Sequence, residues 1–235
     1  VNLDKAFTSF FKGKTSFPKF KKKHDGNSFR NSQSSKIKIQ NGRLFQAKFY
    51  KKGIRIEIDR PHVGIIKNTT ISKTSTGKYF VSVLCETTEA IPNKKTINES
   101  TAIGVDLGLK DFIVTSLGER IKNPKHLRQS LSKLKFLSKQ QCKKQKGSKN
   151  RLKANKKLAI CHEKVANQRK DFLHKISTSL VKNHDTICFE TLQISNMVKN
   201  HKLAQSISGA SWGYFLDMCK YKAEWQGKNI LQIPT

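Results

Sequence analysis

Acidic residues are what this sequence most lacks. Its 235 residues hold 16 Asp+Glu against 47 Lys+Arg, a formal net charge of +31. A field of that sign repels basic partners and concentrates polyanions. Nucleic acid is therefore the leading class of partner, and an anionic membrane surface the second. Long apolar runs are also missing. No stretch approaches the roughly 18 consecutive apolar residues of a spanning helix, and the first residues carry no signal-peptide pattern. Cysteine is sparse and never paired: Cys85, Cys142, Cys161, Cys188 and Cys219 stand singly. Without C-x-x-C spacing, neither a zinc site nor a disulfide framework is encoded. Free thiols in a reducing cytoplasm are expected. The seven His show no ligand spacing.

What is present suffices for real cores. Hydrophobic residues make up 36% of the chain and include 14 Phe, enough for one or two domains. The chain starts on Val1 and ends in "NILQIPT", which reads as a core strand, so further sequence is expected on both sides. Residues 3–11, "LDKAFTSFF", have helical apolar spacing, and "GKTSFPKFKKK" breaks it. From about 28 to 97 the pattern is strand-like. "SKIKIQ", "RLFQAKF", "IRIEI", "HVGIIK" and "KYFVSVLCE" are short strands, with Asn41-Gly42 and Thr76-Gly77 as turns, which predicts a small barrel or sandwich. Residues 90–100 read as a polar linker.

The second half changes character. Strands at 103–107, 112–116 and 119–121 form a meander, followed by a helical stretch over about 125–183. Leu127, Leu131, Leu134 and Leu137 make one stripe. His162, Val165, Arg169, Phe172, Ile176 and Leu180 make another, and Gly147-Ser148 marks a turn between them. Two antiparallel helices are predicted. "TICFE" (186–190) is a buried strand, "SISGASWGYFLDMCKYKAEW" one helix capped by Ser206 or Ser208 and ended by Gly227, and "NILQI" a last strand. Trp212, Phe215, Cys219 and Trp225 are expected in the core. Three meander strands, then helix–strand–helix–strand, is the element order of a ribonuclease H-like fold.

Asp106 stands in a strand that otherwise looks buried, "IGVDLG", and an unpaired buried charge is costly. In a ribonuclease H-like sheet the first and fourth strands are neighbours, so Asp106 and Glu190 meet at one edge. Such a pair can hold Mg²⁺, orient a water and stabilise the leaving oxygen of a phosphodiester. Two other readings stay open: Asp106 capping the Gly108 turn with Glu190 paired to a Lys, and the similar strand–Asp–Gly turn of actin-like ATPases. The basic residues are unevenly placed. Residues 122–182 hold 19 Lys+Arg against Glu163 and Asp171, while the rest of 101–235 has 7 of each sign. Lys143, Lys144, Lys146, Lys149, Arg151, Lys153 and Arg169 are the candidate backbone contacts there. Lys19, Lys21, Lys22 and Lys23, interleaved with aromatics in "FPKFKKK", are a second set.

"IGVDLGLKDFIVTSLGERIKNPKHLR", "KGSKNRLKANKKLAICHEKVANQRKDFLHKIST", "ICFETLQISNMVKN", "ASWGYFLDMCKYKAEWQGK" and "FFKGKTSFPKFKKK" closely resemble the TnpB (OrfB) proteins of bacterial insertion sequences. The resemblance covers essentially the whole chain. It implies a transposon-encoded, RNA-guided DNA endonuclease related to the type V CRISPR effectors, with guide RNA and target DNA as partners. Neither a membrane nor a small-molecule substrate is implied. Such a protein is bacterial and cytoplasmic, nucleoid-associated when bound to DNA.

The implied fold is mixed, α+β or α/β. Residues 1–22 form the tail of a helical recognition lobe and 23–100 a wedge-like β-barrel domain with its linker. Residues 101–235 form an incomplete RNase H-like (RuvC-like) nuclease domain with a basic helical hairpin insertion. The resemblance makes Asp106 and Glu190 catalytic metal ligands for Mg²⁺. Glu190-Thr191-Leu192 stands where the family often has Glu-Asp-Leu. The family's third catalytic Asp and its Zn²⁺-binding element lie beyond Thr235, so a fragment inactive by itself is expected. The alternative is a nuclease-inactive RNA-guided DNA-binding protein or repressor of the same family.

Overall fold

The computed structural model describes residues 2–20, 27–32, 37–46 and 50–234. The chain forms two compact units, Val1–Thr88 and Glu89–Thr235. The first begins with α1 (Asn2–Phe11), whose Phe7 and Phe10 pack edge-on against Phe17 at 5.7 and 5.3 Å. Six strands follow: β1 (Ser28–Asn31), β2 (Ile37–Gln40), β3 (Arg43–Gln46), β4 (Tyr50–Arg55), β5 (Ile65–Lys73) and β6 (Tyr79–Glu86). They pair antiparallel in two separate sheets, β1-β5-β6 and β2-β3-β4. Asn41 and Gly42 both take positive φ, 49° and 66°, as a two-residue hairpin turn requires.

Among the described residues the expected barrel does not close. Closure needs an unbroken ladder from first strand to last, and β4 and β5 are not partners. Pro61 and Gly64 interrupt the segment between them. A Cβ on Gly64 (φ +90°) would stand 2.1 Å from the Glu86 carbonyl oxygen, so the chain there hugs β6 instead of extending β4. For this reason "IRIEI" stops as a strand at Arg55, and "HVGIIK" starts only at Ile65.

The second unit is mixed α/β. A single 3₁₀ turn (Glu99–Thr101) leads into β7 (Ala102–Leu107), β8 (Asp111–Thr115) and β9 (Arg120–Lys122). Then come α2 (His126–Cys142), α3 (Lys149–Asn183), β10 (Thr186–Glu190), α4 (Ile194–Met197), α5 (His201–Ala210), α6 (Trp212–Trp225) and β11 (Asn229–Ile233). The sheet order is β11-β10-β7-β8-β9. The meander is antiparallel, and β7, β10 and β11 are parallel. These are the order and directions expected of a ribonuclease H-like sheet. Ile103 and Val105 of β7 sit in register with Ile187 and Phe189 of β10. All four are buried with Leu173 and Ile176 of α3 and Phe215 and Met218 of α6. Phe215 is the hinge of an aromatic cluster, 5.2 Å from Phe112 and 6.0 Å from Phe189.

The helical hairpin forms as its stripes predict. Ser148 caps α3, its hydroxyl accepting from the Arg151 N–H at 3.1 Å, and Gly147 supplies the positive φ before it. The seam holds Leu134, Cys161 and Val165 with Leu127, Leu137 and Leu158. Cys161, not the exposed His162, faces α2. Deeper in α3, Ser177 and Lys222 tie α3 to α6: the ammonium donates to Ser177 Oγ at 2.7 Å and to the His174 carbonyl at 3.0 Å.

Other expectations need correction. The helix expected over 206–225 is two helices, broken at Ser211 (φ 57°). Gly209 and Gly213 weaken one continuous helix, and the bend lets Ile207, Ala210, Trp212 and Phe215 all be buried. Ser206 and Ser208 lie inside α5, which Asn200 caps by accepting from the Lys202 N–H at 3.1 Å. Trp225 is 67% exposed because it ends α6 and packs only edge-on against Tyr221, 5.0 Å away. All five cysteines are free, and burial pushes the Cys219 thiol up to about 12.

The expected linker instead straps the sheet. Lys95 N–H donates to the Gly227 carbonyl at 2.8 Å, and Asn229 Nδ2 donates to the Lys95 carbonyl at 2.8 Å. Lys95 Nζ lies 2.9 Å from Asp185 Oδ1, with Lys228 Nζ at 3.4 Å.

Two predictions follow from the packing. Phe215→Ala is expected to cost about 3–5 kcal/mol in urea denaturation, since a buried aromatic leaves a cavity on truncation. The hydrogen bond from Lys95, then Lys228, holds the Asp185 carboxyl below its ordinary range. A depressed acid contributes stability above its unfolded pKa of about 3.9, and loses it as pH falls through the folded value. The wild-type denaturation midpoint should therefore drop below pH ~4, and Asp185→Asn should flatten that acid limb.

Candidate functional site

Residues on β7 alternate sharply. Ile103, Val105 and Leu107 are buried, and Asp106 between the last two is exposed. On β10 Ile187 and Phe189 are buried and the terminal Glu190 is exposed. The last registered pair is Phe189 with Val105. One further step sets Glu190 beside Asp106. Partners in a parallel ladder share a face, and neighbouring strands lie about 4.8 Å apart. The two acids thus occupy neighbouring register positions at the C-terminal ends of adjacent strands, and alternation turns both away from the Phe189 core. Asp106 is not a buried charge: alternation carries it out of the core.

Neither carboxylate has a hydrogen bond or ion pair among the described residues. The Gly108 turn closes on itself, Gly108 N–H donating to the Phe112 carbonyl at 3.2 Å, and among the described residues no Lys pairs with Glu190. Nearby Asp111 is engaged by Arg120 at 3.8 Å. Thr191 is tied to β11 through its N–H, 2.9 Å from the Ile233 carbonyl. Among the described residues no group of three or more His, Cys, Asp and Glu converges on a metal position. The donor set is a carboxylate pair. That fits Mg²⁺, which takes one or two protein carboxylates and completes its shell with water and phosphate oxygens. It offers zinc neither imidazole nor thiolate.

The cationic candidates fall into three situations. Lys143, Lys144, Lys146, Lys149 and Lys153 are exposed around the hairpin turn. Arg151 is half-buried and donates Nη1 to the Lys144 carbonyl at 2.8 Å, fastening that turn. Arg169 is half-buried farther along α3, its Nη1 3.5 Å from the Ser208 carbonyl of α5. Lys19 is exposed in the first unit, and Lys21, Lys22 and Lys23 lie outside the described residues. Sequence reasoning missed one grouping. Lys110, Lys125, Arg128 and Lys202 ring a single cavity, and only folding brings these separate segments together.

The second unit is thus a basic mixed α/β unit with two exposed acids at neighbouring strand ends. The chain belongs to the OrfB_IS605 family, described as "Probable transposase", whose model matches residues 81–201. It is 35% identical over 233 residues to a Streptomyces pristinaespiralis protein named "Putative RNA-guided DNA endonuclease", covering 99% of this chain and 57% of that one. It is 30% identical to the Escherichia coli K12 protein "Putative RNA-guided DNA endonuclease InsQ", covering 99% and 60%. The chain thus spans 57–60% of the length of these two curated relatives. A solved Cas12f1-sgRNA-target DNA complex is similar at 16% identity and a TM-score of 0.47, over 72% of this chain and 36% of that one.

The exposed hairpin lysines give a testable slope. Replacing Lys143, Lys144, Lys146 and Lys149 by Ala should flatten the log–log salt dependence of duplex binding by up to about 3.6, at about 0.9 per lost phosphate contact. Fluorescence anisotropy across a salt series measures it, and an unchanged slope would make the run a solvated face.

Proposed function

We propose that the chain carries two metal ligands and the nucleic-acid-tracking hairpin of an RNA-guided DNA endonuclease. Residues 101–235 are its RuvC-like part, 23–100 a wedge-like part, and 1–22 the end of a recognition lobe. Guide RNA and target DNA are the partners. The observation that carries this reading is the register of β7 with β10, which puts two exposed acids, Asp106 and Glu190, one step past the last pair, without a cation partner among the described residues, in a chain of net charge +31. The relatives' names, which speak of RNA-guided DNA cleavage, support it.

Asp106 and Glu190 would hold Mg²⁺, which supplies a nucleophilic water and neutralises charge on the scissile phosphate. The rest falls to the chain itself. Burial of Ile103, Val105, Ile187 and Phe189 behind the acids locks both strand ends, so the carboxylates need no reorganisation when substrate arrives. The hairpin lysines draw the phosphate backbone to the sheet. A repressor would have no use for two unpaired acids at one edge.

Calorimetric titration tests the site without any need for activity. Mg²⁺ is expected to bind this chain weakly, and Asp106→Asn with Glu190→Gln to abolish that binding. In a version extended to the length of the relatives, Asp106→Ala or Glu190→Ala should cut plasmid cleavage by roughly 10³-fold or more, since metal stabilisation is worth several kcal/mol. RNA binding should persist. Full cleavage by either variant would show that the site lies elsewhere.

A further inference from the structure

Asn123 lies where the meander ends and the basic hairpin begins, between β9 and α2. Its short side chain is bonded at both ends. The amide Nδ2 donates to the Leu109 carbonyl at 3.2 Å, and Oδ1 accepts from the Lys125 N–H at 3.0 Å. Its main-chain N–H reaches the Lys110 carbonyl at 3.4 Å. One half-buried residue thus ties two carbonyls at the tip of the β7–β8 turn to the first residues of the crossover.

Both bonds meet a need. Leu109 packs its side chain on the core of the sheet, and a carbonyl held in such a place requires a donor. A Cβ on Gly108 would stand 2.6 Å from the Asp111 carbonyl oxygen, so the turn is tight on its β8 side and open on the other. Lys125 enters α2 at φ 49° and ψ 40° without a side-chain cap, a conformation disfavoured for a residue with a Cβ. An Asn two residues earlier that accepts from its N–H forms an Asx-turn and holds it there. The two tasks call for a donor and an acceptor on one short side chain. Asp lacks the donor.

The two acids are not held alike. Glu190 is in register with Ile233 of β11, and the Thr191 N–H that follows donates to the Ile233 carbonyl at 2.9 Å. Asp106 lies past the last β7–β10 pair, Val105 with Phe189. Its ladder partner is Val114 of β8, one pair before the turn at Leu107 and Ile113. The place of Asp106 therefore depends on how the turn is held. We propose that Asn123 is a positioning residue for Asp106: by holding the Leu109 and Lys110 carbonyls it fixes the end of β7, and with it the Asp106 carboxylate relative to Glu190. This rests on the nuclease reading above. Mg²⁺ demands near-ideal geometry at about 2.0–2.1 Å from each ligand, so a loosened turn is read out as lost metal affinity.

The test titrates Mn²⁺, which shares the oxygen-ligand chemistry of Mg²⁺, into the 235-residue chain and counts the free ion by electron paramagnetic resonance. Asn123→Ala removes donor and acceptor. Asn123→Asp keeps the acceptor for Lys125 and removes the donor to Leu109. By charge alone an added carboxylate strengthens cation binding, whereas a released turn weakens it, so the sign separates the two effects. Mn²⁺ affinity should fall about three- to tenfold in both variants, less than for a direct partner of a metal ligand because Asn123 acts through the turn. The urea midpoint of Asn123→Asp should match wild type, since the Lys125 turn survives and an acid suits a helix N-terminus. In the version extended to the length of the relatives, Asn123→Asp should raise the Mg²⁺ concentration for half-maximal plasmid cleavage by a similar factor, with the rate at saturating Mg²⁺ held within about twofold. Wild-type or tighter Mn²⁺ binding by Asn123→Asp would overturn the assignment, and if Asp106→Asn abolishes binding in the same assay the nuclease reading stands without it. Mn²⁺ binding that survives Asp106→Asn overturns the nuclease reading and the assignment with it.

Discussion

The parallel register of β7 and β10 is the constraint on which the rest depends. It stacks Ile103 with Ile187 and Val105 with Phe189 on one face, where α3 and α6 cover them. The same register carries Asp106 and Glu190 out on the other face. Side chains in a strand alternate with period two, so a slip of one residue would exchange the faces. It would drive an acid into the Phe215 cluster and put Phe189 in water. The apolar core therefore specifies the acid pair without touching it. Parallel neighbours also require a long crossover, and the α2–α3 hairpin lies within the one that joins β7 to β10.

How α3 enters β10 sets where the charge goes. The helix turns back at His184, and its C-terminal third is buried against the sheet through Leu173, Ile176, Leu180 and Val181. Phe172 reaches Phe112 beside the β7–β8 turn, at 5.2 Å. Residues before it pack on α2 through the Leu134–Val165 seam, with Arg169 reaching the Ser208 carbonyl of α5. Their span is roughly 33 Å at 1.5 Å per residue. A second, small seam suffices there, where the helix has no sheet to cover and, on the proposed reading, a polyanion to track.

Much of this was legible in the sequence, for physical reasons that differ by element. Alternation exposed β7, and the Ser148–Gly147 turn exposed the hairpin, because capping and periodicity are local. Pairing of β7 with β10 followed from element order, since few topologies join such elements without crossing. What stayed hidden was non-local or carried by backbone geometry. The α5–α6 break depends on burying Trp212 and Ile207 together, which no window of sequence encodes. The strap at 92–98 reads as polar linker, yet its Lys95 carbonyl satisfies the buried Asn229. The ring of Lys110, Lys125, Arg128 and Lys202 has no spacing at all, because three separate segments build it.

The charge asymmetry finally explains why the acids stand free in so basic a chain. The densest lysines surround the hairpin turn, tens of ångströms along α3 from the sheet. Ionic screening acts over about 8 Å at physiological salt, so those charges cannot neutralise Asp106 and Glu190. Other cations of the unit are committed elsewhere: Arg120 to Asp111, Lys222 to the α3 hydroxyls, and Lys228 to the end of α3. Two adjacent carboxylates so isolated repel one another. A small divalent cation relieves that repulsion, and it does so most fully when a phosphate completes its shell. On the proposed reading the distant lysines then act on the polymer instead of the acids, holding a phosphate backbone whose near end lies over the pair.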